Sequence, residues 1–524
     1  MNYFSKIFIC ILMAAAHTLD LSAGQPFKNH FQRQEADREW TRIYQMNPAV
    51  LPLYSAPYTS MIGADGSYEQ GSLHHPQTSG QMMKVQFNTG SFVRFEDTGW
   101  TLHGAFQYEN GVEKDGSSLL SYHLRTNGTP SYFYCLKPAE RWGTRKYRLE
   151  ATATKEFGTR WTAGLMFHYD GQQHFRSNDV RNDQTDLYMD MALGTAFRAT
   201  PHSWFSLAAT YSRNKEKPEF SNLYSSGAEY GVYLINGLGS YLKNAGSDIA
   251  WTEHLPGALI QWEMDHPCWQ SSLSYQFNYG NNFWETMYQQ AEKTENKLTG
   301  YRFTQHQVRL LEKYPYGKTI WSLLATFNKT AGSGKNWDKT QENYIDNYRF
   351  RGMDAGMELG WNNHQDETGQ VIFRTARLAL TYHSDRRLDR SFDYRLFHSS
   401  LDFGLQAGAD WQIRKVCLAA QLEGAFSLPF KVRHTSKAAQ STNNYYYHHI
   451  GMSLTDWYLC RNAQTGLTFL AEFPVSQQKM EIGANALLIM NIGSTSTTDG
   501  GMTASPLYTH QHYLASRLFV NFYF

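Results

Sequence analysis

The sequence predicts an all-β fold, a transmembrane antiparallel up-and-down β-barrel of about 18 strands, with 16 as the nearest alternative. Three observations carry that expectation. Apolar and polar residues alternate over runs of about ten positions from Gln81 almost to the end of the chain. The connections between those runs alternate between short and long. The last run ends on an aromatic residue, Phe524.

Composition narrows the class before any element is placed. Charged residues make up 18% of the 524, against about 25% in an ordinary soluble domain. Aromatics reach 15%, with 34 Tyr, 31 Phe and 14 Trp, yet mean hydropathy is -0.54. Past the N-terminus no apolar run approaches the ~20 residues that a membrane-spanning helix needs. A formal net charge of +1 leaves no electrostatic footprint for nucleic acid. So many aromatic and β-branched side chains give the chain ample surface to bury, which excludes disorder.

The N-terminus reads as an export signal. Lys6 precedes the apolar run from Ile7 to Ala16, and small residues Ser22, Ala23 and Gly24 follow. Cleavage is expected after Gly24, with Ala23 the alternative, so residues 1–24 form a secretory signal peptide. Residues 25–58 are expected to be a periplasmic arm or a small plug. Within them Gln32 to Gln45, with Trp40, Ile43 and Tyr44, suit a short helix that Pro48 stops. Such a helix would plug the lumen, cap its mouth or hang as a mobile arm. The barrel itself is placed at 59–524. Cys135, Cys268, Cys417 and Cys460 are far apart, so they are free thiols or include one distant pair.

The strands follow from the period of two. Leu187, Met189, Met191, Leu193 and Phe197 alternate with Asp186, Asp190 and Arg198. Met353 to Trp361 repeat the pattern against Asp354 and Glu358, and Leu401 to Trp411 against Asp402 and Asp410. Each strand then has one apolar and one polar wall. Runs this long exceed the ~5–6 residues usual in a soluble sandwich and match tilted spanning strands. Aromatics at Trp161, Trp204, Trp269 and Trp321 suit an interfacial girdle. Short periplasmic turns are expected near 96–99, 157–160, 199–203, 265–268, 313–317 and 362–369. Long extracellular loops are expected near 111–144, 171–184, 213–252, 280–300, 329–347, 384–399, 428–464 and 492–511. Leu518, Val520, Phe522 and Phe524 form the final alternating run.

That last run resembles the terminal recognition strand of bacterial outer-membrane proteins, which the barrel-assembly machinery reads. The mature chain resembles the outer-membrane barrels of Bacteroidota-type bacteria, an uncharacterised family among them. Tyr44-Gln45-Met46-Asn47-Pro48-Ala49 is similar to the Asn-Pro-Ala element before the first strand of fatty-acid-transporter-like barrels. The resemblance implies a Gram-negative outer-membrane location, with the lipid bilayer and the assembly machinery as partners.

Polar faces opposite the apolar ones are the expected lumen. They carry Arg148, Glu150, His168, Asp186, Asp190, Arg198, Asp354, Glu358, Arg377, Asp402, Asp410 and Glu423, together with His383 and Gln421. Charges of both signs in a low-dielectric wall select a hydrated solute, or else pair and hold a closed barrel. The porin-like expectation is therefore a channel or uptake component for a small solute, without a cofactor. An accessory barrel that docks a lipoprotein or a TonB-dependent receptor is the rival reading, supported by the Tyr- and Asn-rich loops 213–252 and 428–464. Histidines at His74-His75, His448-His449 and His510-x-His512 lack an acid that would complete a metal pattern. No G-x-S-x-G, H-E-x-x-H or P-loop occurs, so a hydrolase at the rim is the least favoured reading and no catalytic residue is named.

Overall fold

The computed structural model describes residues 30–39, 47–53 and 59–523, the last with breaks at 76–77, 115–119, 121–127, 136–139, 177, 222–230, 237–239, 244–248, 287–296, 339–342, 366–370, 391–392, 436–456, 476–477 and 495–510. The signal peptide, its cleavage point, Trp40, Ile43, Tyr44, Phe524, His448, His449 and His510 lie outside the described residues.

Among the described residues, a helix, α1 (His30–Glu39), and a 3-10 turn, Pro48–Leu53, precede the strands. The strands are β1 (Ser60–Gly71), β2 (Gln81–Phe95), β3 (Trp100–Lys114), β4 (Ser131–Tyr134), β5 (Arg141–Phe157), β6 (Trp161–Arg176), β7 (Arg181–Thr200), β8 (Ser203–Ser221), β9 (Tyr233–Asn236), β10 (Ser240–Lys243) and β11 (Ile249–His266). They continue with β12 (Trp269–Thr286), β13 (Lys297–Tyr316), β14 (Thr319–Asp338), β15 (Asn343–Asn363), β16 (Val371–Asp389), β17 (Tyr394–Ile413), β18 (Val416–Thr435), β19 (Cys460–Val475), β20 (Gln478–Ser494) and β21 (His512–Tyr523).

Eighteen of these form one antiparallel sheet, and β1 pairs with both β2 and β21, so the sheet closes into a barrel. Closure leaves no strand edge facing lipid, the condition any sheet must meet to span a bilayer. The alternation behaves as the sequence indicates. Leu193 and Leu405, on the apolar side of β7 and β17, are 63% and 61% exposed on the outer wall. Ala192, Gly194 and Ala196 on the inner side of β7 are buried. β4, β9 and β10 form a separate three-stranded sheet.

Two groups of expectations need correction. Loops expected at 171–184, 329–347 and 384–399 are mostly strand: β6 runs to Arg176 and β7 starts at Arg181, β14 reaches Asp338 and β15 starts at Asn343, and β16 reaches Asp389 before β17 starts at Tyr394. The outward side of β7 is apolar from Phe197 to Leu187 except at Thr195, then polar at Thr185, Asp183 and Arg181. Where a strand leaves lipid, both its faces meet polar surroundings and the apolar signal stops while the hydrogen-bonded ladder continues. Trp204 does not join an outer girdle; it turns inward and packs beside Val50, Leu311 and Leu324. The cysteines Cys135, Cys268, Cys417 and Cys460 are all free thiols.

Candidate functional site

The polar interior is closed towards each end by a different device. At the short-turn mouth sits the segment that precedes β1. Arg33 of α1 is buried between Glu472 on β19 and Glu481 on β20, with its Nη2 donating to Glu481 at 2.6 Å and also to Glu472. Its guanidinium lies 4.1 Å from the centre of the Tyr523 ring on β21. His30 Nδ1 contacts Glu481 at 2.9 Å. On the other flank of α1, Arg38 donates to both oxygens of Glu358 on β15 at 3.0 Å, and Glu35 accepts from Arg377 on β16. Phe31 packs against Ala419 and Leu470. One short helix reaching β15, β16 and β18 to β21 lies on the concave side of the wall, that is, in the lumen.

The 3-10 turn seats on the other wall. The Asn47 side chain accepts the Ala49 N–H at 3.0 Å, which fixes the bend into Pro48. Thr154 on β5 and Thr162 on β6 donate hydroxyl hydrogen bonds to the carbonyls of Pro48 (2.7 Å) and Ala49 (2.6 Å). The berth depends on two glycines: a Cβ at Gly194 would collide with Asn47, and one at Gly164 would meet the Pro48 backbone. Asn47, Val50 and Leu51 are fully buried as a result.

Towards the long-loop mouth, the small β4–β9–β10 sheet crosses the interior. Its alternation sends Phe133 and Leu234 to one side and Tyr134, Tyr233 and Ile235 to the other. The first set packs with Trp142, Trp251 and Trp284 of β5, β11 and β12. The second packs with Tyr301, Phe303, Tyr348, Phe350 and Tyr394 of β13, β15 and β17. Just before β4, Asn282 on β12 donates to Thr129 at 2.9 Å and Tyr348 on β15 donates to the Gly128 carbonyl at 3.0 Å. Nearby, His75 from the β1–β2 connection lies edge-on to Trp457 at 5.8 Å. Burial, with Arg387 and His74 adding positive charge, lowers the His75 pKa to about 4.

Between the closures, two charge networks face one another. On β5 and β6, Arg148 donates to both oxygens of Asp170 at 2.9 and 3.2 Å, and Lys146 lies 3.1 Å from the same carboxylate. His168 spans Asp170 and Glu150 at 3.0 and 3.4 Å. On β15 to β18, His383 lies between Asp354 at 2.7 Å and Asp402 at 3.0 Å, and Ser427 donates to Asp402 at 2.6 Å. Six strands separate the two groups either way round the ring. The side chains of Asp354, His383 and Asp402 are 49%, 39% and 37% exposed although they point inward, so this wall borders open lumen.

The other residues singled out from sequence have separate places. Arg198 donates to the Pro201 carbonyl at 2.7 Å beside the short-turn mouth. Asp186 is buried 3.4 Å from His174, Asp410 accepts from Arg374 at 2.7 Å, and Glu423 fills the space that Gly466 leaves open. Glu358 and Arg377 hold α1. Sequence reading missed Asp170, although its spacing of two from His168 puts both on one face. It also missed Arg33, whose partners lie more than 400 positions away and leave no local signal. Among the described residues no group of three or more His, Cys, Asp or Glu is placed to hold a metal.

The model of a family of unknown function, DUF6850, matches residues 48–524. The chain belongs to this family. The match starts at Pro48, so the family pattern takes in the 3-10 turn as well as the barrel. No curated protein matches the sequence. Among solved structures, the ferric citrate transporter FecA in its unliganded form is similar at 10% identity, with 88% of this chain and 79% of that chain covered and a TM-score of 0.40. The FrpB iron transporter of Neisseria meningitidis (F3-3 variant) gives 10%, 88%, 81% and 0.40. The siderophore receptor PiuA of Acinetobacter baumannii gives 7%, 88%, 81% and 0.38.

Proposed function

We propose that the protein is an outer-membrane uptake barrel that admits a small hydrated solute through its lumen, with one gate near each mouth. The observation that carries this reading is the non-covalent seating of both closures. α1 and the 3-10 turn rest on ion pairs and hydroxyl contacts, and the β4–β9–β10 sheet on aromatic packing, inside a wall that is complete without them. A barrel built only for structure gains nothing from leaving half-exposed charges between two removable stoppers. The same reading has residues 1–24 removed on export, residues 25–58 acting as the plug, and Leu518, Val520, Phe522 and Phe524 read by the assembly machinery. It keeps the kinship with Bacteroidota-type barrels, and with fatty-acid-transporter-like barrels at Asn47-Pro48-Ala49, as part of the proposal.

Two gates in series make a specific expectation for planar-bilayer recordings. Each single variant, Arg33→Ala or Leu234→Asp, stays nearly silent because the other gate still blocks the path. The double variant gives stable, step-like open levels. A folded double variant, shown by heat-modifiable migration in gels, that never conducts would reject the uptake reading and favour a docking barrel.

A further inference from the structure

Between the two closures, on the wall formed by β5 to β8, β11 and β12, lies a chamber of about 230 Å3. Its floor is Met166, which packs against Leu51 of the 3-10 turn. Its ceiling is Leu255, which packs against the aromatic cluster of the small sheet. At about 30 Å3 per water, the space equals roughly seven or eight water molecules, the size of a small organic solute.

The polar capacity of this chamber is not used up by the protein. Asp190 on β7 sits opposite His168 on β6 and Ser212 on β8 in the strand register. Both ring nitrogens of His168 already face carboxylates, Glu150 and Asp170, so neither serves Asp190. Arg148 and Lys146 are likewise committed to Asp170. Asp190 has no hydrogen-bond or ion-pair partner among the described residues, whereas the carboxylates around it do. Beside it, the Thr210 hydroxyl oxygen is buried with no hydrogen-bond partner. On the next strands, Gln276 donates to Asn278 at 3.2 Å, and Gly257 keeps the chamber back open, since a Cβ there would run into Asn278 and Thr210. Asp190 is half-buried in a chamber lined by polar and apolar groups alike. Its carboxylate faces the open space with no counter-ion among the described residues of the wall, and a charge-assisted hydrogen bond from a cationic solute meets no competing protein partner.

We infer that this chamber is a binding site for a small organic cation that carries hydroxyl groups. Its ammonium sits against Asp190, its hydroxyls meet Thr210 and Ser212, and its carbon skeleton lies between Met166 and Leu255. The inference names the class of solute for the uptake reading and rests on it. Anions are repelled by Asp190, since the charge of Glu150 is already paired with His168; neutral polyols forgo the ion pair with Asp190.

Three probes of similar shape and different charge test the assignment: diethanolamine (cation), diethylene glycol (neutral) and diglycolate (anion). Binding is followed by ligand-observed NMR on the full mature protein carrying Leu234→Asp, which opens the long-loop gate to the probes, in detergent micelles. Diethanolamine is expected to bind, with Asp190→Asn weakening it at least tenfold and Thr210→Val, which keeps the shape, weakening it several-fold. Diethylene glycol and diglycolate are expected not to bind. Equal binding of all three probes, tighter binding of diglycolate, or unchanged affinity in a folded Asp190→Asn protein would overturn the assignment. The result separates from the gating test. Conduction by the double-gate variant without Asp190-dependent binding rejects the chamber and leaves uptake standing. Asp190-dependent binding with no conduction supports the chamber and removes the uptake path.

Discussion

Arg33 is the residue on which the short-turn closure turns. It neutralises two carboxylates on adjacent strands, Glu472 and Glu481, both nearly inaccessible to water. Removing one partner of a buried ion pair costs about 3–5 kcal/mol because the remaining charge loses its counter-ion. Arg33→Ala is therefore expected to release α1, with Arg33→Lys intermediate because an ammonium lacks the planar fork. The readout is thiol labelling, in a Cys268→Ser background because Cys268 is an exposed thiol, of a cysteine placed at the buried Ala36: slow in the parent, fast in the Arg33→Ala background. Protection that persists would show that the Arg38–Glu358 contact and Phe31 suffice to hold the helix. A second residue-level expectation concerns His75. Its lowered pKa of about 4, against 6.5 when free, means that the docked loop favours the neutral ring. Docking is then complete above pH 6.5 and weakens as the pH falls from 6.5 towards 4, where the released loop binds a proton that the docked one refuses. Fluorescence of Trp457 against pH is the measurement, and His75→Asn should flatten that profile. None of these pairings was legible in the sequence. Local periodicity reports which face a residue occupies, and says nothing about a partner hundreds of positions away.

Among the elements, the spanning part of each strand was readable and the rest was not. Leu187 to Phe197 display the period of two because one side meets lipid. Thr185, Asp183 and Arg181 continue the same ladder with polar groups on both sides, and read as loop. The small β4–β9–β10 sheet escaped for a different reason. Phe133-Tyr134 and Tyr233-Leu234-Ile235 are apolar on both faces because both faces are buried, and runs of four residues are too short for a periodic signal. Leu234 is fully buried at the centre of that sheet. Leu234→Ala is expected to cost about 2–5 kcal/mol by the usual large-to-small penalty, paid locally rather than by the barrel. Hydrogen exchange should rise in 131–134 and 233–236 while the wall strands keep their protection. Uniform loss of protection would mean that the small sheet and the barrel fold as one unit. α1 was anticipated within Gln32 to Gln45 and starts two residues earlier, at His30.

For the molecule as a whole, the decisive contact is the seam where the first strand meets the last. β1 and β21 pair from Met61–Tyr523 to Gly71–Tyr513. Gly71 lies so close to β21 that a Cβ would run into the backbone of His512 and Tyr513. Gly71→Ala should therefore strain closure by about 1–3 kcal/mol, and the folded band in heat-modifiable gels should convert at a lower temperature. An unchanged conversion temperature would show that the upper end of the seam contributes little to closure. The number of strands and the closed architecture followed from alternation and turn spacing alone, because lipid imposes the same rule on every strand. The solute chamber did not, since it is assembled from six strands whose inner residues look alike in sequence.

The strands that outrun their apolar band have a further consequence. Twenty residues, the length of β7, rise about 65 Å along the strand, or roughly 50 Å along the barrel axis at the usual tilt, against an apolar band of about 25 Å. Because the apolar side of β7 ends at Leu187, the six residues from Asp186 to Arg181 form a collar on the long-loop side, about 15 Å along the barrel axis above the apolar band. Mobile ions screen a charged surface within about 8 Å at physiological salt. The rim of the collar thus stands nearly two screening lengths above the apolar band and about one above the headgroups. A charged solute arriving there is sampled nearer its bulk concentration than one arriving at the headgroups, because part of the lipid surface potential is screened before it reaches the rim.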